Sequence, residues 1–400
     1  MAKKPKDKAS VYFPGLHGLR FIAAMMVVFS HVELMKDYHG YPNLYSSNMA
    51  VYESGRLGVT LFFALSGFLI SYLLLKEKEV SGTISVRKFY GRRILRIWPL
   101  YYLLVFLSFI IIPRVGFLNL PEYTAALPQH FRYTFPLYVL LLPQLALSIF
   151  PPVPFAEPLW SIGVEEQFYL FWPILVKHTR RFLGLIICII IAAIALKQLL
   201  FMIAEANRAS ASLEYWNYAL NYLYFTRIEC MAVGGLGAWL VFTGQQKILS
   251  FIFRPVFQLG LYAFTLYLII TSSYKPSYNY LVYALCFGLI IVNVAANRKS
   301  LLRLENPVFR FLGNISFSLY MVHEIVIKTV LQTLVSVRGA TFNDASSNVL
   351  LYAMTMVLTL AVSALLYYLF EKPFLRLKSS FAVVESGQDL IERGALPASA

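Results

Sequence analysis

The chain reads as an all-α polytopic bundle embedded in a membrane, on three observations. Only 14% of its 400 residues are charged and 58% are hydrophobic, whereas a soluble enzyme carries about 25% charged residues. Mean hydropathy is +0.63. Apolar runs of about 20 residues, the length that crosses the hydrocarbon as a helix, recur along almost the whole sequence.

Ten such runs are predicted as spans: 16–36, 57–75, 97–117, 157–177, 182–203, 218–242, 251–273, 278–296, 311–334 and 346–370. The first is expected to stay uncleaved, because Ala23-Ala24 precedes most of its apolar stretch instead of following it. Segment 132–150 is apolar too, but Pro136 and Pro143 are expected to break its helical hydrogen bonding. Positive charge decides whether it crosses. With 132–150 left on the outer side and both termini in the cytoplasm, 24 of the 35 Lys and Arg face inward. Seven face outward: Lys36, Arg56, Arg114, Arg132, Arg208, Lys275 and Arg338. A crossing at 132–150 would move every later basic cluster to the other side and erase the asymmetry. Residues 1–378 are therefore predicted to form one membrane domain, and 379–400, polar and poor in apolar residues, a disordered cytoplasmic tail.

The formal charge of +15 does not point to nucleic acid, because the Lys and Arg lie in short segments between apolar runs, with no soluble basic domain to carry them. Cys188, Cys230 and Cys286 sit within apolar runs without Cys-x-x-Cys spacing and frame neither a disulfide scaffold nor a zinc site. No metal is expected.

Chemistry is expected where ionisable residues enter the spans, since these are costly in hydrocarbon and must face the protein interior. Arg20 and His31 are eleven positions apart. That separation is about 20° past three helical turns and about 16 Å of rise, so the two share one helix face, one near the cytoplasmic end and one deep. Glu165 and Glu166, Arg227, and His323 with Glu324 fall at comparable depths, and a shared polar cavity accounts for them together. Arg227 and Glu229, two positions apart, point to different faces and cannot neutralise each other. Glu165 or Glu166 is the depth-compatible partner of Arg227, and a purely structural interhelical ion pair explains the same residues. For His31 and His323, a core histidine satisfied by a backbone carbonyl is the competing interpretation. Lys197 and Lys328 lie near span ends and are expected to snorkel to the interface.

Arg92, Arg93 and Arg96 precede Trp98-Pro99 at the cytoplasmic mouth of the third span. Orientation and lipid contact account for such residues, and so does phosphate binding, for which planar guanidinium groups are suited. Ser66-Gly67 and Gly234, Gly235 and Gly237 read as small-residue packing sites.

Seven segments in order resemble the membrane acyltransferase-3 family across about residues 12–377. They are Arg20 and His31 with their ten-residue interval, residues 58–70 (GVTLFFALSGFLI), 91–99 (GRRILRIWP), 159–173 (LWSIGVEEQFYLFWP), 227–235 (RIECMAVGG), 313–323 (GNISFSLYMVH) and 370–373 (FEKP). Thr60 departs from the pattern, standing where an acidic or amide residue is common. The resemblance implies an O-acyltransferase of a bacterial inner or plasma membrane that moves an acyl group, often acetyl, from cytoplasmic acyl-CoA to a carbohydrate or glycolipid beyond the membrane. On that basis Arg20, Arg92, Arg93 and Arg96 are expected to hold the donor, acetyl-CoA or another acyl-CoA. His31 is expected to act as general base or acyl carrier, Glu165 or Glu166 to orient an imidazole or bind hydroxyls, and Arg227, Glu229 and His323 to contact the acceptor. A transporter or exporter of lipid-linked sugars would also bury charges in such a bundle, but would usually show related halves, which the sequence lacks.

Overall fold

Backbone punctuation sets the helix ends. In the computed structural model, which describes residues 10–210, 212–272, 279–381 and 383–386, left-handed Gly15 precedes α1 (Leu16–Tyr38). Asn48 caps α2 (Met49–Ser81) by accepting from the Ala50 and Val51 amides, and left-handed Gly82 ends it. Then come α3 (Val86–Phe106), α4 (Pro121–Val139), α5 (Pro143–Ile149), α6 (Leu159–His178), α7 (Phe182–Ala206), α8 (Leu213–Phe225), α9 (Ile228–Phe242), α10 (Gln246–Ile252), α11 (Pro255–Thr271) and α12 (Asn279–Ala296). Asn306 caps α13 (Pro307–Arg338) and left-handed Gly339 stops it. The Asp344 carboxylate accepts from the Ser346 hydroxyl at 2.5 Å and the Ser347 amide at 2.8 Å at the start of α14 (Ala345–Leu366), bonds that hold this exposed carboxyl below the usual range. A π-helical turn at Tyr367–Glu371 continues it into α15 (Lys372–Lys378).

Among the described residues the protein is all-α apart from one two-residue parallel pairing of β1 (Ser10–Val11) with β2 (Glu385–Ser386). Helix occupies most of the described part of every predicted span, residues 273 and 278 lying outside the described residues, but helix length and composition do not bear out all ten. Among the described residues seven helices are long and apolar enough to cross a membrane: Leu16–Tyr38, Met49–Ser81, Val86–Arg114, Phe182–Ala206, Leu213–Phe242, Pro307–Arg338 and Ala345–Lys378. An eighth results if α10 and α11, bent by 66° at their junction, act as one. Helix α6, which carries Glu165 and Glu166, is not among them, and the apolar part of α12 is shorter, at Tyr280–Ala296. Predicted span 218–242 is broken at Thr226 and Arg227. Segment 132–150 holds the end of α4 and all of α5. Pro136 sits inside α4, and the break comes at Leu140–Leu142, where Leu141 has φ 61°.

Helices α1, α2, α9 and α13 form the centre, with α2 packed on α1 and α9, and α13 on α1. Glycines bring the α2 and α9 backbones together. A Cβ on Gly67 would fall into the Met231 carbonyl, and one on Gly234 into that of Ala64. The periphery is apolar and open, as on α7, where Ile191 and Met202 are 60% exposed and match a hydrocarbon surround.

The predicted tail begins in ordered structure. The Phe381 carbonyl accepts from Arg92 at 2.8 Å and its ring covers Gly91. Residues 387–400 lie outside the described residues.

Gly67→Val and Gly234→Val are each expected to destabilise by about 1–3 kcal/mol or more through overpacking at the α2–α9 contact. The double variant should lose less than the sum, because one separation of the helices relieves both clashes. Thermal unfolding in detergent checks both outcomes.

Candidate functional site

Arg20 and His31 are joined by α1 to two different clusters. At the outer one, α13 brings His323 and Glu324 against His31. His31 Nδ1 and His323 Nε2 are 2.5 Å apart, with the rings parallel within 4° and their centroids 4.8 Å apart. The other nitrogen of His323, Nδ1, lies 2.7 Å from the Tyr320 carbonyl. A carbonyl only accepts, so His323 Nδ1 bears the proton and Nε2 is an acceptor. His31 therefore donates through Nδ1, and its Nε2 carries the free lone pair.

Glu324 Oε1 is 3.6 Å from His31 Nδ1, near enough to favour a positive imidazole but too far for a hydrogen bond. His31 and Glu324 line a narrow recess with Tyr38, Tyr123, Phe155 and Glu157, and the Tyr38 hydroxyl points to Glu157 Oε2 at 3.4 Å. The donor atoms of His31, His323 and Glu324 lie within 4.8 Å of one another, a set that could ligate a cation. The two imidazole nitrogens are nevertheless too close: two tetrahedral bonds of about 2.0–2.1 Å would hold them roughly 3.3 Å apart. Their spacing fits a shared proton.

At the inner cluster, Arg20, Arg93 and Arg96 line a cavity of about 100 Å³ with Ser66, Ser161, Glu165, Tyr169, Ser316 and Tyr320. Tyr169 donates to Glu165 Oε2 at 2.7 Å and bonds Ser66 Oγ. The same three arginines line a second compartment of about 50 Å³ with Tyr12, His17 and Lys378. They form a positively charged throat between the two. Among the described residues none of the three is in an ion pair, and Arg93 Nε is buried without a hydrogen-bond partner.

Other predicted site residues lie elsewhere. Arg92 is buried and bound to Glu77 Oε2 at 3.3 Å as well as to Phe381, so it braces the loop instead of entering the cavity. Glu166 departs from Glu165: it accepts from Trp98 Nε1 at 3.1 Å and lines an apolar lateral cavity of about 330 Å³ with Leu140–Leu142 and Leu170. Arg227 does not pair with either glutamate. Fully enclosed at the α8–α9 break, it sits 3.6 Å from the Tyr280 ring centre, with Tyr224 and Trp160 at 5.2 and 5.4 Å. It donates to the Arg56 carbonyl and Thr60 Oγ1 at 3.2 and 3.3 Å. Backbone carbonyls and aromatic faces thus do the work expected of a carboxylate. Glu229 pairs with Lys197, and Lys328 is buried, bonding His39 Nε2 at 2.6 Å, so neither lysine simply snorkels.

Sequence reasoning missed Glu157, Tyr320 and the role of Ser66 beyond packing. Glu157 lies at the very start of a predicted span, where a charge looks interfacial. Tyr320 stands three and four positions before His323 and Glu324, a spacing that places all three on one face.

The chain belongs to the acyltransferase-3 family, whose model, described as "Acyltransferase domain", matches residues 13–368. A Staphylococcus aureus (strain COL) protein named "Putative O-acetyltransferase SACOL0978" is 26% identical over 392 residues, covering 92% of this chain and 58% of that protein. "O-acetyltransferase OatA" of Staphylococcus aureus (strain NCTC 8325 / PS 47) is 25% identical over 386 residues, covering 90% and 57%. The chain thus spans somewhat over half the length of these relatives. No solved structure matches it. Family membership and the seven membrane-length helices identify the chain as a multi-pass membrane domain of the acyltransferase-3 family.

Removing Arg92 strands the buried Glu77, so Arg92→Ala should destabilise by about 3–5 kcal/mol. Arg96→Ala removes one of three like charges around a cavity and should leave thermal unfolding in detergent unchanged or improved.

Proposed function

We propose that the protein transfers an acyl group, acetyl in the first instance, from cytoplasmic acyl-CoA to a hydroxyl of an extracytoplasmic carbohydrate or glycolipid, with His31 as general base. The observation that carries this reading is the hydrogen-bond chain Tyr320 carbonyl, His323, His31, which leaves His31 Nε2 unprotonated.

Arg20, Arg93 and Arg96, none of them in a direct ion pair among the described residues, supply positive charge for the phosphates of the donor, and Ser66, Ser161 and Tyr169 supply polar groups along the cavity for its amide-bearing arm. His31 Nε2 accepts the proton of the acceptor hydroxyl as its oxygen attacks the thioester carbonyl. The new O–C bond replaces the C–S bond, and the departing thiolate takes up a proton from the His31 imidazolium, restoring the base. During the step Glu324 and the His323 lone pair favour the positive imidazole. Glu157 and Glu324 accept hydrogen bonds from other acceptor hydroxyls in the outer recess. A covalent variant has His31 Nε2 take the acyl group before the acceptor does.

The relatives' names support O-acetyl transfer. We further propose ten crossings with both termini in the cytoplasm of a bacterial plasma membrane. Charge asymmetry supports this arrangement, with α6, α12 and the bent α10–α11 pair supplying the crossings beyond the seven.

His31→Ala should lower transfer by about a hundredfold to ten-thousandfold in reconstituted vesicles while leaving acyl-CoA binding within about twofold; retained turnover would remove His31 from the chemistry. Arg20→Ala should raise the donor KM with little change in kcat, and unaltered donor kinetics would leave Arg20 a purely structural residue. Mass analysis of quenched enzyme distinguishes the direct from the covalent route, since only the latter yields acylated His31.

A further inference from the structure

The inner cavity and the outer recess share no lining residue. Tyr320 stands between them. It lines the inner cavity, its ring centre lies 5.9 Å from that of His323, and its carbonyl fixes the His323 proton. Its hydroxyl donates to the Pro158 carbonyl at 2.9 Å and lies 2.8 Å from Ser161 Oγ. Pro158 follows Glu157 of the outer recess, and Ser161 lines the inner cavity. The hydroxyl is thus tied to both sides of the wall. Phe62, also lining the inner cavity, packs edge-on against the Tyr320 ring with centroids 5.8 Å apart.

We infer that the Phe62–Tyr320 ring pair is the size filter of the donor path and limits the transferred group to a short acyl chain. This inference rests on the acyl-CoA reading above and names which donors it admits. An acyl group that starts near Arg20, Arg93 and Arg96 must pass these rings to reach His31. Tyr320 is only 5% exposed and held at its tip, so the opening is made chiefly by rotation of Phe62. A two-carbon group needs little displacement. Each further methylene meets packed aromatic carbon, and in sites of fixed shape one methylene changes kcat/KM by roughly 10–200-fold.

The test compares acetyl-CoA with hexanoyl-CoA, following release of free CoA thiol by purified protein in vesicles made from bacterial membrane lipid extract, whose glycolipids supply the acceptor hydroxyls. The intact protein should prefer acetyl-CoA by at least about a hundredfold in kcat/KM. Phe62→Ala should shrink that preference at least about tenfold through faster use of hexanoyl-CoA, while the acetyl-CoA KM, set at the arginines, stays within about threefold. Phe62→Leu, which keeps most of the packing, covers the case in which the alanine variant does not fold, and should shift the preference in the same direction. Tyr320→Phe keeps the ring and should keep the preference. Equal use of both donors by the intact protein, or an unchanged preference in a folded Phe62 variant, overturns the inference. Failure of the intact protein to consume any thioester overturns the acyltransfer reading and the filter with it.

Discussion

A charge inside a bilayer has no water to fall back on, and this constraint explains most of the polar architecture of the bundle. Arg227 is enclosed by carbonyls, a threonine hydroxyl and three aromatic rings. Lys36 is held by Glu33 at 3.0 Å and Asn348 at 2.8 Å, and Tyr352 donates to the same Glu33. Glu371 receives the Ser318 hydroxyl, and Lys197 meets Glu229. Against this background of partnered groups, the places where ionisable residues gather around a cavity stand out. Arg20, Arg93 and Arg96 share a throat, and Glu157 and Glu324 share a recess. His31 lines the recess and meets His323 there, and Tyr320 stands between the two compartments.

The same constraint decides how far the sequence could be followed. Runs of apolar residues predicted the long helices and their order, because composition alone sets what can face lipid, but not the short α10 and α15 or the division of α8 from α9. Arg20 and His31 were legible because they sit on one unbroken helix, whose period dictates their alignment. Partners across helices were not. Depth suggested a glutamate for Arg227, but rotation of α6 and the break before α9 decide what faces it, and neither can be derived from spacing. The split between Glu165 and Glu166 has the same origin: adjacent residues on a helix diverge by about 100° and face different neighbours. Arg92 illustrates a third limit, since its partner Phe381 lies in a segment whose composition resembles disorder. Helices α6 and α12, counted as spans from the sequence, fall outside the seven that pass by length and composition for a related reason. Helices lined with functional polar residues, or enclosed by others, need not be long or apolar enough to satisfy hydrophobic criteria on their own.

Histidine tautomers show how much can hang on a backbone atom. Nothing about Tyr320 as a residue type determines which nitrogen of His323 is protonated. Its carbonyl does, from one helical turn away, and through His323 it orients the lone pair of His31. The side chain of the same residue meanwhile closes the wall toward Ser161 and Pro158. One residue of α13 thus sets both the protonation state of the outer cluster and its separation from the inner one, and a distortion of this turn would disturb both together.

The pairing of Ser10–Val11 with Glu385–Ser386, together with the bond from Arg92 to Phe381, bears on how the protein is made. Arg20 and Arg93 emerge early in synthesis, yet the compartment they share with Lys378 closes only when the segment after α15 has left the ribosome and met strand β1. A nascent chain whose first helices are already inserted carries the arginines without their enclosure. Assembly of the charged throat therefore reports completion of the whole bundle, and a ribosome stalled after the last long helix would leave an inserted protein with that end unsealed.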